Sequence, residues 1–146
     1  MVTIRQLAGG RIWFSIDKEL TFLLNPGSEI VEPSVTDPFD PNIHITWDFC
    51  EFTFENNQIY ANISCVDFVS LSVALTIIPQ DGDPQNVLGL KADGFAHICA
   101  GSESQSLVDA NDWHKLVFES NDQKLPALSP NKHYRHERWK LVLGVL

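Results

Sequence analysis

The segment WDFCEFTFENNQIYANISCVDF, Trp47 to Phe68, constrains this chain more than any other. In DFCEFTFE the residue types alternate. Cys50, Phe52 and Phe54 fall on one face of an extended strand, and Glu51, Thr53 and Glu55 on the other. Asn56-Asn57 supplies a two-residue turn of the kind that tolerates positive φ. QIYANIS then reads as the returning strand. The apolar face needs a core, so the hairpin belongs to a β-rich domain. The polar face looks to water or to a groove.

Four carboxylates punctuate the segment: Asp48, Glu51, Glu55 and Asp67. Glu51 and Glu55 can be read simply as solvating an exposed sheet face. Asp67 lies in the apolar run CVDFVSLSV, where a bare carboxylate costs free energy unless it is paired or used. A turn-forming or backbone-bonded Asp is the structural alternative there. Glu51 and Asp67 form the best candidate pair for two-carboxylate chemistry, of which glycoside hydrolysis is the leading example. A regular register opposes that pairing. With Asn56-Asn57 as the turn, Glu51 faces Asn62. Asp67 then lies roughly 16 Å further along, on the opposite face. A catalytic pair sits about 5–9.5 Å apart. The pairing therefore demands a bulge or break near Ser64 to Val66.

Further short strands are expected in RIWFSI, LTFLL, IHITW and SLSVALTII, divided by Gly9-Gly10, Asn25-Pro26-Gly27 and Asp81-Gly82-Asp83-Pro84. EPSVTDPFDPN, with Pro33, Pro38 and Pro41, reads as an ordered surface loop. Asp93 is placed to cap a helix from Gly94 to about Val108, with Phe95, Ile98, Cys99 and Leu107 inward. HKLVFES reads as a later strand. The expected fold class is mainly β, a sandwich or barrel, with one principal helix in a small α/β portion.

The 146 residues suffice for one domain with a core. A net charge of −9 argues against nucleic acid, which needs clustered Lys and Arg, and is compatible with a neutral ligand such as a carbohydrate. No apolar run approaches the ~20 residues of a membrane span. Met1 leads into β-like sequence rather than a signal peptide. Cys50, Cys65 and Cys99 lack the paired spacing of a zinc site. One disulfide is open to them, with no pair favoured. His44, His97, His114, His133 and His136 show no metal-ligand spacing. Neither a metal nor a cofactor is expected.

The blocks GGRIWFSI, LTFLLNPG, VEPSVTDPFDPNI, WDFCEFTF, YANIS and VDFVSL, in that order, closely resemble fungal members of glycoside hydrolase family 64. The resemblance runs from about Thr3 to Asn131 and includes LSPN near its end. It implies the thaumatin-like superfamily, a wide groove, and inverting endo-hydrolysis of β-1,3-glucan to laminarioligosaccharides. Its catalytic pair falls on Glu51, as general acid, and Asp67, as general base. Thr53 matches a groove position, and Tyr60 and Trp47 are further substrate-binding candidates. It implies an extracellular protein that acts on β-1,3-glucan of the laminarin type, with the cell wall as its setting; a monomer with no nucleic-acid or membrane partner is expected. Cys65 and Glu55 depart from the residues expected at their positions. On this reading residues 1–131 are a partial glucanase domain, shortened at both ends, and residues 132–146 a divergent tail. Two rivals remain beside hydrolysis: a non-catalytic glucan-binding module with aromatic walls, and an inactive fragment.

Overall fold

The computed structural model describes residues 3–63, 65–120 and 123–130. The tail expected to diverge, residues 132–146, lies outside them. In chain order the elements are β1 (Leu7–Ser15), β2 (Leu23–Leu24), β3 (Ile30–Val31), β4 (Trp47–Glu55), β5 (Gln58–Asn62), β6 (Phe68–Val69), β7 (Leu75–Ile77) and β8 (Gln85–Val87). Helix α1 (Gly94–Asp109), a 3-10 turn (Trp113–Leu116), β9 (Val117–Ser120) and β10 (Gln123–Leu128) complete them. The fold is mainly β with one α-helix among the described residues, as the sequence indicates.

The hairpin forms as its alternation requires. Asn56 and Asn57 take φ of 50° and 60°, the left-handed values of a tight β-turn. β4 and β5 pair antiparallel with Glu51 opposite Asn62. β1 adds to the other edge of β4, giving the order β1-β4-β5. Gly9-Gly10 does not end this strand, contrary to its reading as a break. Leu7 pairs with Phe54 and Gly10 with Phe52, so β1 carries an extra residue there, a bulge. Gly9 has φ of 67°. A Cβ on Gly10 would lie 2.6 Å from the Phe52 ring, so the glycine makes room for that core side chain.

Other expected strands are shorter or displaced. LTFLL contributes only Leu23–Leu24. IHITW is not extended before Trp47. There the chain turns, with Ile43 N–H donating to the Asp40 carbonyl and Ile45 N–H to that of Asn42. Asn42, 1% exposed, fixes the turn by accepting from Thr21 N–H at 2.7 Å and donating to the Thr21 carbonyl at 2.9 Å. A buried side-chain amide thus does the pairing that a strand backbone would do. The proline-rich loop is ordered, as expected. Asp40 takes the N–H groups of Ser34 and Asn42.

The second sheet has the order β6-β10-β9. Its central strand contains Pro126, which hid it from a reading by strand signals. Pro126 falls where the β9 register shifts, between Lys124 and Ala127, so its missing N–H is placed at an irregularity. HKLVFES divides into the 3-10 turn and β9. Helix α1 packs Phe95, Ile98 and Cys99 against Val69, Val117 and Ala127. Leu107, expected inward, is 89% exposed, because the last turn passes beyond this cluster. The helix tolerates its serines because Ser102 and Ser106 bond back to carbonyls four residues earlier. Asp93 occupies the N-cap position without a side-chain cap bond, its carboxylate pairing instead with His97.

Candidate active site

The site begins with strand pairing. Across β1 and β4, Arg11 stands opposite Glu51, Trp13 opposite Phe49, and Ser15 opposite Trp47. Across β4 and β5, Thr53 stands opposite Tyr60. Directly opposed residues in a sheet share a face, so Arg11, Trp13, Trp47, Phe49, Glu51, Thr53 and Tyr60 lie on one side. Trp13 packs against Phe49 and Trp47 at ring separations of 5.0 and 5.2 Å. Phe68 meets Trp47 edge-on at 4.8 Å. These rings join the first sheet to the second and form an aromatic floor.

Arg11 crosses this floor. Its Nε donates to Glu51 Oε1 at 2.8 Å, and Nη2 lies 2.7 Å from the same oxygen. Nη1 pairs with Glu32, from the loop after β3. The guanidinium carbon lies 4.9 Å from the Phe49 ring centroid, a cation–π distance. Burial works against the Arg11 charge, but the Glu51 hydrogen bond and the charges of Glu32 and Glu51 outweigh it and hold the guanidinium above its ordinary value.

A groove of about 280 Å³ opens over the floor, lined among others by Arg11, Glu32, Thr36, Phe49 and Asp67. Asp67 reaches it because the chain leaves the first sheet. β5 ends at Asn62, and the next strand, β6, begins at Phe68 in the other sheet. The required break in the hairpin is therefore present, and the parity that put Asp67 on the far face no longer applies. Ser129 N–H donates to the Asp67 carbonyl at 2.8 Å and anchors the crossover. Asp67 thus lines the groove directly. Glu51 is not among the lining residues; it pairs with Arg11, which is, and shares a strand face with Trp47 and Phe49.

The other candidate residues occupy different settings. Tyr60 is 66% exposed, and its hydroxyl donates to Gln58 at 2.9 Å. The Thr53 hydroxyl accepts from Gly9 N–H at 3.1 Å and so holds the β1 bulge. Trp47 is 3% exposed and belongs to a core cluster with Ile45, Phe68 and Leu128. It lines the groove only from below. Cys50 and Cys99 are buried free thiols and Cys65 an exposed one, and burial raises all three. His44, His97 and His114 each bond a neighbouring side chain, whereas His133 and His136 lie outside the described residues. Among the described residues no three His, Cys, Asp or Glu side chains cluster as metal ligands would. No helix among them is long and apolar enough to cross a membrane.

Sequence reasoning passed over Arg11, Glu32 and Phe49. Phe49 was legible, since it shares Glu51's parity on β4. Arg11 became meaningful only once β1 was registered against β4, and Glu32 only once its loop was folded over β1.

Comparison with known proteins shows the family. The family model for beta-1,3-glucanases, glycoside hydrolase family 64, matches residues 1–140. The glucan endo-1,3-beta-glucosidase of Arthrobacter sp. (strain YCWD3) is 28% identical over 132 residues, which are 89% of this chain and 23% of that protein. The protein of the same description from Cellulosimicrobium cellulans is 27% identical over 132 residues, with the same coverage of 89% and 23%. Both organisms are bacteria, so these matches carry the family and not its fungal branch. The crystal structure of a laminaripentaose-producing beta-1,3-glucanase in complex with laminaritetraose is similar at a TM-score of 0.76 and 29% identity, over 85% of this chain and 33% of that one. The chain therefore spans under a quarter of the curated relatives it matches and a third of the solved one. On the match over residues 1–140, this chain belongs to the beta-1,3-glucanases of glycoside hydrolase family 64.

Proposed function

We propose that the Glu51–Asp67 groove hydrolyses β-1,3-glucan with inversion at the anomeric carbon. Glu51 protonates the glycosidic oxygen as the bond to the anomeric carbon breaks. Asp67 accepts a proton from the water that attacks the opposite face of the sugar. Glu51 then regains a proton from solvent and Asp67 releases one. The observation that carries this reading is a groove over an aromatic floor that Asp67 and Arg11 line, with Glu51 held by Arg11. Half-buried rings of Trp13 and Phe49 suit the apolar faces of pyranose rings. Tyr60 and Thr53 extend the same strand face as further sugar contacts. Trp47 supports the floor from beneath. A polysaccharide too large to cross a membrane fits extracellular action by a monomer, and cell-wall glucan fits as its source.

The test is digestion of laminarin, with reducing ends and the anomer of the first product followed by NMR. Wild type should release α-configured ends. Glu51→Gln and Asp67→Asn should each lower turnover by about 10²–10⁴-fold while laminarin still binds. Binding without release of reducing ends by wild type would instead favour a glucan-binding module.

A further inference from the structure

A general acid must be held against the oxygen it protonates, and a carboxylate on an open strand face needs a partner to hold it. Arg11 donates two N–H groups to one oxygen of Glu51. Arg11 is 29% exposed and Glu32 55% exposed, and Glu32 takes Nη1 of the same guanidinium. One guanidinium is thus fixed between two carboxylates.

We infer that Arg11 is a positioning residue for the acid Glu51, and that Glu32 holds the guanidinium from its far side so that Arg11 can orient Glu51. This deepens the hydrolytic reading and rests on it. Glu51 meets Arg11 from β1, which in turn meets Glu32 from the loop after β3, and Arg11, Glu32 and Asp67 line one groove. Tyr60 is the titratable residue β5 contributes on that face, and its phenol proton is engaged by Gln58. Arg11 is fixed from its other side by Phe49, so the cluster is built into the floor.

The variants should separate kcat from KM on laminarin. Arg11→Gln removes the orientation that Arg11 enforces, so kcat should fall about tenfold or more with KM little changed. Glu32→Gln frees Arg11 on one side, so kcat should fall less, by about threefold, again with KM little changed. Arg11→Lys restores the charge without the two-pronged contact, and kcat should stay low. An unchanged kcat in both Glu32→Gln and Arg11→Gln would overturn the inference. Glu32 is largely exposed, so its variant carries the test if Arg11→Gln does not fold.

A second readout separates failure of the inference from failure of the hydrolytic reading. Wild type without laminarin turnover counts against hydrolysis alone. The Arg11 Nε–H resonance, assigned through Arg11→Lys, then decides the inference. It should lie downfield, shift further when Glu32→Gln ends the sharing, and move upfield in Glu51→Gln. A resonance indifferent to either carboxylate would show that Arg11 positions nothing.

Discussion

The two three-stranded sheets divide the work of this molecule unequally. The β1-β4-β5 sheet has two nine-residue strands and a register between them interrupted once, at the Gly9 bulge. The β6-β10-β9 sheet is short, with a two-residue strand at one edge and a proline in its centre. Yet the irregular sheet is the drier. Leu125 is 2% exposed and Cys99, on the helix against it, 0%. On the regular sheet Ile12 and Phe14 each remain 40% exposed. Strand regularity is local, set by alternation and turn chemistry. Burial depends on what packs above, and here α1 and the 3-10 turn cover the second sheet. The groove lies on the opposite face of the first sheet, the one carrying Arg11 and Trp13, and the second sheet anchors the crossover that brings Asp67 to it.

The strongest way to break this division is to cut the tie between the halves. Asp48, 5% exposed on β4, accepts from Ser70 N–H and Leu71 N–H, both at 3.1 Å, just beyond β6. Asp48→Ala leaves two amides without an acceptor. At about 1–3 kcal/mol for each, it should cost about 2–6 kcal/mol in denaturant unfolding. A loss below about 1 kcal/mol would mean that packing alone joins the sheets.

The contrast in burial predicts unequal cavities. Leu125→Ala should cost about 2–5 kcal/mol, as a core truncation does, and Ile12→Ala less than about 1 kcal/mol. Equal losses would show that the outer face of β1 is covered in solution, and that the comparison overstates its openness.

The smallest effect concerns the turn. Asn57, at φ of 60°, should accept glycine with a gain of about 0.5 kcal/mol, because glycine takes left-handed values without a Cβ penalty. Hydrogen exchange should localise the gain to β4 and β5. Destabilisation would mean that the Asn57 side chain holds the hairpin as well as its backbone.

Legibility followed the same line. Alternation from Asp48 to Glu55 and the Asn-Asn turn contain their own register, so the pairing of Glu51 with Asn62 was readable in advance. The same register exposed its own limit, by requiring a break before Asp67. Residues outside such a pattern misled. IHITW has strand composition but is bent by the Asn42 clip to Thr21, a contact 21 residues distant. Pro126 hid the central strand of the second sheet, because a missing N–H usually forbids that place.

By itself the sequence determined a β-rich chain, a hairpin with a polar face and a helix near residues 94–109, and it offered two carboxylates as candidates. These follow from periods of 2 and 3.6 residues and from turn preferences, all of which act within a few positions along the chain. Only the tertiary structure decided that Asp67 turns into the groove, that Trp47 is buried, and that Arg11 lies between Glu51 and Glu32. Those outcomes depend on contacts 40 residues apart in the case of Arg11 and Glu51. No local preference encodes such a contact, because it exists only after separate strands have chosen their register and the aromatic floor has joined the two sheets.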